Sequence, residues 1–290
     1  MKKGKKMENK YDITIVIPFY YGNKYICNLL KKLNKSACFA ENLKIETLIV
    51  NDSPDCQIDF INYSNLNISV ITNSKNMGIH YSRVAGIMNA QGKYIIMLDQ
   101  DDELSEKALL LQYDGIKDND LIIANGIDYN PFNYGKIYHS RKHQELSTNL
   151  KYYLNIGCMI VSPGQCMIKK SIIPKLWLQH PIKNNGADDL LLWLLLLKQG
   201  IKVTFNYETI YLHNFSGTNV SSDFEKMVIS TQETVDFLCN QNIISGYERK
   251  KFYKRLKMRS LYENKGKINK IIAMILYPEI AFYLIKMKIV

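Results

Sequence analysis

The chain has 290 residues, 47% of them hydrophobic, and a formal charge of +11. Those values exclude an intrinsically disordered chain and leave room for one large core with a small appendage. The basic excess lies at the two ends: residues 1–10 hold five Lys and one Glu (+4), residues 241–290 hold twelve Lys/Arg and three Glu (+9), and 11–240 sum to −2.

A slightly acidic body argues against a nucleic-acid groove, so no nucleic-acid partner is expected. It points any acidic partner, such as an anionic membrane surface, to the termini. The six cysteines (Cys27, Cys38, Cys56, Cys158, Cys166 and Cys239) show no CxxC pair and no metal-ligand spacing. That usage predicts a reducing, cytoplasmic compartment. The first apolar run, Ile13 to Phe19, is too short for a secretory signal and is broken by Pro18.

In chain order, residues 1–10 read as a flexible basic tail. Ile13–Ile17 is a continuous apolar strand of the kind covered on both faces, and Pro18 ends it. Apolar residues at 26, 29, 30 and 33 predict a helix over 24–35. Ile45–Val50 and Ile68–Ile71 are further strands, His80–Ala90 a helix, and Tyr94–Leu98 a fourth strand after Gly92. This alternation over about ninety residues predicts a doubly wound α/β fold with a parallel sheet. Later strands are expected at 121–124, 136–139, 166–169 and 202–212. Helices are expected at 187–199, 222–240 and 245–262. Ser162–Gln165 reads first as a plain turn, with a border of a substrate site as the alternative.

The fourth strand runs straight into Asp99-Gln100-Asp101-Asp102. Carboxylates this close repel, and water or a cation must compensate them. Hard divalent cations take oxygen ligands, often one or two carboxylates plus substrate phosphate oxygens. In open α/β sheets, ligands bind beyond the carboxyl ends of the strands. The run therefore reads as a metal–phosphate site. The plain alternative is a solvated acidic turn that starts a helix near Ser105. A second pair, Asp188-Asp189, opens the apolar helix 187–199, as a separate catalytic base or as ordinary helix-terminal charge. His213, after the last strand, is either a metal or diphosphate contact or an ordinary histidine.

Together these motifs resemble glycosyltransferase family 2, the nucleotide-sugar-dependent inverting enzymes with the GT-A fold, of bacterial surface-polysaccharide type. The likeness covers roughly residues 12 to 220. It is carried by Ile15-Val16-Ile17-Pro18-Phe19-Tyr20, Val50-Asn51-Asp52-Ser53, Asn76-Met77-Gly78 with Arg83, Asp99-Gln100-Asp101-Asp102, and Asp188-Asp189 before Leu192-Trp193. The resemblance implies a GT-A (Rossmann-like) mixed sheet over 11–240, flanked by helices and followed by a C-terminal helical extension. It implies a nucleotide pocket of Pro18, Tyr20, Asp52, Asn76, Gly78, Arg83 and Asp99. Asp52 would take the nucleobase imide, and Asp99 the ribose or the metal's outer contacts. Arg83 would touch the diphosphate or support the DxD loop. It implies Mn²⁺ or Mg²⁺ on Asp101 with His213, and Asp189 as general base with Asp188 beside it. The family more often carries Glu-Asp at that pair. The implied donor is a nucleotide sugar of UDP type, and the implied acceptor a glycan or lipid-linked hydroxyl. A catalytically silent nucleotide-sugar-binding scaffold is the alternative function.

The C-terminal region 241–290 is both basic and apolar. Pro278 and Glu279 interrupt its apolar run, so neither half reaches the ~20 residues of a membrane span. It reads as a segment lying on a membrane surface, which would put the protein on the inner face, or as a helix folded back onto the domain.

Overall fold

The computed structural model describes residues 9–130, 133–215, 223–263 and 267–290. Most of the expected basic tail therefore lies outside the described residues. Nine strands form one sheet: β1 (Tyr11–Phe19), β2 (Ile45–Asn51), β3 (Ile68–Thr72), β4 (Gly92–Met97), β5 (Glu103–Leu104), β6 (Leu121–Asn130), β7 (Asn133–Lys136), β8 (Cys166–Lys169) and β9 (Val203–Asn214). Their order is β3-β2-β1-β4-β8-β6-β9-β5, with β7 paired to β6. The first four strands are parallel. Beyond them β8 runs antiparallel to β4 and β6, and β5 antiparallel to β9. β6 and β9 pair in parallel, so the sheet is mixed: β3-β2-β1-β4 form the parallel sheet that the strand–helix alternation predicts, and the other half interleaves parallel and antiparallel pairs.

The continuous apolar runs are explained by burial on both faces. Along β1, Ile13, Ile15 and Ile17 pack on one side with Leu29, Leu30 and Leu33 of α1 (Asn23–Phe39). Val16 points the other way, to Val84 and Ile87 of α2 (Ile79–Asn89). α3 (Ala108–Ile116) covers the α1 side through Leu109 and Ile116. It begins well after Ser105, because Glu103 and Leu104 are taken by the ladder with β9. The acidic run at 99–102 is therefore not the first turn of a helix.

Three short helices follow, α4 (Arg141–Glu145), α5 (Leu150–Asn155) and α6 (Lys175–Gln179). The strand expected at 136–139 stops at Lys136. Beyond it the Asn125 side chain takes over the backbone of Tyr138, donating to its O (2.8 Å) and accepting from its N (3.0 Å). α7 (Asp188–Lys198) is buried along nearly its whole apolar length, from Leu190 to Leu196. It is covered by α8 (Phe224–Asn240).

α9 (Gly246–Glu263), α10 (Lys267–Leu276) and α11 (Pro278–Ile289) form the C-terminal region. No single described helix is long and apolar enough to cross a membrane, and α10 and α11 meet at 110°. α11 is folded onto the body. Tyr283 meets Tyr152 edge-on at 5.1 Å, Ser140 Oγ donates to Val290 O (2.6 Å), and His139 Nε2 lies 2.9 Å from Met287 O.

Strand order places β1 between β2 and β4, so the chain's winding reverses at the carboxyl ends of β1 and β4. That crevice is where an open α/β sheet takes its ligand.

Candidate active site

A cleft of about 620 Å³ opens at that crevice, and all eleven residues implicated from the sequence line it. They arrive from separate segments. Pro18 does not end β1 as expected: it pairs in register with Val50, and the strand runs on to Phe19 opposite Asn51. Tyr20 follows half-exposed, and Asp52 follows β2. Asn76, Gly78 and Arg83 come from the turn before α2 and from α2 itself. Asp99 and Asp101 follow β4, Asp188 and Asp189 open α7, and His213 lies within β9, next to its last residue, rather than after it.

Asp52 is buried and organises the turn opposite it. Its Oδ1 accepts from Asn73 Nδ2 and Met77 N, and its Oδ2 from Gly78 N, each at 2.8 Å. A carboxylate offers about four lone-pair sites, so one acceptor position is left for a ligand. Gly78 stands at φ +89, and a Cβ there would lie 2.7 Å from Asn185 Oδ1. Gly78→Ala is therefore strained by its backbone and crowded against Asn185. We expect it to weaken nucleotide binding roughly tenfold, about 1.4 kcal/mol, by displacing the turn. Isothermal titration with UDP checks this.

Arg83 ties three segments together. Nη1 donates to Asp188 Oδ2 (2.7 Å) and Nη2 to Asp99 Oδ1 (2.6 Å). Arg83 is 3% exposed, and its Nε has no hydrogen-bond partner. Of the two roles the resemblance allows, support of the 99–102 loop is the one these contacts describe. Burial alone disfavours its charge, but Asp188 and Asp99 hold its pKa above the ordinary arginine value.

The adjacent carboxylates of α7 are held differently. Burial opposes ionisation of Asp188, yet the charges of Arg83 and His80 bring its pKa below the ordinary carboxylate value. Asp188 is thus an ion-pair member. Asp189 is half-buried, and no described cation pairs with it. Its Oδ1 accepts from Leu190 N (2.6 Å), and its Oδ2 lies 3.9 Å from Cys158 Sγ. Burial, and then the charge of Asp188, push its pKa up to about 7. A carboxylate that exchanges its proton near neutral pH is suited to general-base work.

The other flank of the cleft is built by β9. Asp102 does not face the cleft: Tyr211 Oη donates to its Oδ2, and Asn214 N donates to its Oδ1 (3.1 Å). Asn214 Nδ2 also donates to Asp101 O (2.8 Å). These bonds stitch the end of β9 to the acidic loop and bring His213 to the same cleft as Asp101. His213 Nδ1 lies 2.8 Å from Oδ1 of Asp128, its cross-strand partner on β6. That carboxylate fixes the ring and leaves Nε2 as the remaining donor atom, the arrangement of metal-binding histidines. Among the described residues no cluster of three or more metal-ligating side chains occurs. The donor set, one carboxylate and one oriented imidazole, fits a divalent cation whose shell is completed by phosphate oxygens and water.

Sequence reasoning missed several lining or supporting residues. Gln100, the middle residue of the DxD, accepts from Tyr20 N (2.9 Å) and donates to Tyr20 O (3.1 Å), clipping the two loops together. Asp128 carries no local signal and is found only through its register with His213. Asn185 and Val161 also border the cleft, and so do Ser162 and Pro163 of the turn for which a place beside the acceptor was the less favoured of two readings.

The sequence profile of the family described as Glycosyl transferase family 2 matches residues 14–177, more than half of the chain. A 101-residue stretch is 32% identical to the minor teichoic acid biosynthesis protein GgaB of Bacillus subtilis (strain 168). That match covers 33% of this chain and 11% of GgaB, so it spans about a tenth of the relative's length. Residues 1–349 of S. aureus TarS in complex with UDP-GlcNAc superpose with a TM-score of 0.62 at 15% identity, over 91% of this chain and 79% of that one. The same TarS fragment with UDP gives 0.56 at 15% identity, over 89% and 76%. At that identity the likeness establishes the GT-A fold.

Proposed function

The chain belongs to glycosyl transferase family 2, and we propose that it is an inverting, metal-assisted hexosyltransferase acting from a UDP-sugar. The proposed acceptor is a hydroxyl of a glycan or lipid-linked acceptor in cell-surface polysaccharide synthesis. The observation that carries this reading is the convergence in one cleft of a carboxylate–imidazole pair, Asp101 and His213, with a separate carboxylate, Asp189, that titrates near neutral pH. UDP as donor nucleotide is supported by TarS, which binds UDP-GlcNAc and UDP in the same fold. Surface-polymer synthesis is supported by the likeness to the teichoic acid protein.

An acceptor hydroxyl is a poor nucleophile until a base takes its proton. In the proposed reaction Asp189 takes that proton as the oxygen bonds to the anomeric carbon. The bond to the diphosphate breaks on the opposite side, through an oxocarbenium-like transition state, and the centre inverts. Asp52 holds the nucleobase, and Pro18 and Tyr20 line its pocket. Asp99, held by Arg83, faces the ribose side. Asp101 and His213 would hold Mn²⁺ or Mg²⁺, which when bound neutralises charge on the leaving diphosphate.

UDP-GlcNAc with Mn²⁺ is the first donor to test, reading UDP release and thermal stabilisation. Asp101→Asn is expected to lower metal-supported turnover at least tenfold and to remove most of the stabilisation that Mn²⁺ adds to UDP binding. Unchanged turnover of the parent protein in excess chelator would refute the metal role. Failure of every UDP-sugar to bind would refute the donor assignment.

A further inference from the structure

The cleft leaves the C-terminal helices without a function, and their surface is unusual. On α10, Ile268, Ile271, Ile272, Ile275 and Leu276 are all exposed, at i, i+3, i+4, i+7 and i+8. Ile268 and Ile275 are 72% and 70% exposed. The opposite side of the same helix is packed, with Ala273 fully buried against Met258 of α9. On α11, Phe282, Ile285 and Ile289 repeat the exposure at i, i+3 and i+7. Scattered exposed apolar residues need no explanation, but five along one face of the ten-residue α10 form a stripe.

Beside the break between these helices lies a second groove, of about 610 Å³. Lys250, Lys254 and Lys257 of α9 line it at i, i+4 and i+7, together with Tyr253 and Tyr277. All three lysines are exposed, and none has a carboxylate partner among the described residues. By contrast Arg249 is paired to Asp236 and Lys251 to Glu279. The Lys254 ammonium sits over the Tyr277 ring, 5.8 Å from its centroid. Tyr277 is the residue at which α10 ends and α11 begins, so the cationic groove adjoins the apolar stripe directly.

We propose that α10 and the start of α11 lie on an anionic lipid bilayer, with Lys250, Lys254 and Lys257 receiving lipid phosphates. An apolar helix face bordered by lysines and tyrosine is the pattern of a helix resting in the interface rather than crossing it. The 110° bend and the short helices leave no span. Charge selects the occupant. A second copy of this strongly basic region would meet like charge, whereas an anionic leaflet offsets it. A soluble polyanion would match the lysines but leave the apolar face uncovered.

The test needs point variants of the full chain. Deleting 246–290 would strip α11 from Tyr152 and Ser140 and disturb the body itself. The intact protein is expected to sediment with vesicles of equal parts phosphatidylcholine and phosphatidylglycerol, less so at high salt, and weakly with phosphatidylcholine alone. Changing Lys250, Lys254 and Lys257 together to Gln should weaken partitioning roughly 100-fold, from about fivefold per lysine. Ile271→Asp with Ile275→Asp should abolish sedimentation. UDP binding should be unchanged in both variants, which shows that they are folded and keeps this outcome separate from that of the donor site. The proposal is overturned if the parent protein stays in the supernatant. It is also overturned if the lysine variant sediments as the parent does, or if Ile271→Asp with Ile275→Asp instead converts an oligomer into a monomer in light scattering.

Discussion

Asp189→Asn is expected to lose transfer by about 10²–10⁴-fold, the range a positioned general base contributes, while binding UDP-sugar as the parent does. The reason is a division of labour within the cleft. The residues proposed to hold the donor, Asp52, Asp99 and Asp101, follow β2 and β4, whereas Asp189 opens α7 and makes no hydrogen bond to any of them. Asparagine keeps the shape and can still accept from Leu190 N, but it cannot take a proton. Titration with UDP and single-turnover kinetics separate the two effects. A variant that binds and transfers normally would remove Asp189 from the chemistry.

The pKa of Asp189 adds a second expected result. The base works only when deprotonated, so kcat/KM should fall as pH drops through about 7, with one proton taken up on the acid limb. Stability runs the other way. A folded pKa raised from 3.8 to about 7 favours the protonated group. Its contribution is fully present below the unfolded value and is lost as pH rises through the folded one. Asp189→Asn removes that cost, so at pH 8 it should melt above the parent, by roughly 1–3 kcal/mol of added stability. At pH 4 the two should melt together. Melting curves at the two pH values check the sign, and a variant less stable at pH 8 would show that the carboxylate is not under electrostatic stress.

Much of this site was legible because its chemistry sits where strands end. Continuous apolar runs such as Ile13–Ile17 announce burial on both faces, and the polar residues after Pro18, Val50 and Leu98 then fall at one edge of the sheet. Long-range partners are what local patterns do not carry. Adjacent residues on a helix point about 100° apart, so only one of Asp188 and Asp189 could meet a given neighbour. Which one was decided by Arg83, 105 residues earlier in the chain. Gln100 looked like the spacer of a motif, yet its side-chain amide is the clip on Tyr20. The strand expected at 136–139 failed because the Asn125 side chain outcompeted a ladder for the Tyr138 backbone. The basic and apolar character of the C-terminal region was visible, but the contacts that fold α11 onto His139, Ser140 and Tyr152 were not.

Arg83→Met is expected to be the most destabilising single change in the site, by about 3–5 kcal/mol, because it leaves a buried charge without its partner. The midpoint of thermal unfolding should drop by on the order of 10 °C. Asp188 is 3% exposed and cannot recover by hydration what it loses in the ion pair. Its low folded pKa depends on Arg83, so in the parent its contribution is present above the unfolded carboxylate value and is lost as pH falls through the folded one. Without the guanidinium, burial dominates and the pKa moves up. The deficit of Arg83→Met should therefore widen from pH 4 to pH 8. Arg83→Lys should recover little, since one ammonium cannot fork between Asp188 and Asp99 as Nη1 and Nη2 do. The double change Arg83→Met with Asp188→Leu replaces a buried ion pair by apolar contact and should restore much of the stability. It should not restore transfer. Asp99 would still lack the anchor that joins the acidic loop to α2 and α7, and Asp189 would open a helix no longer tied to that loop. Recovery of both stability and transfer in the double variant would show that the bridge serves folding alone.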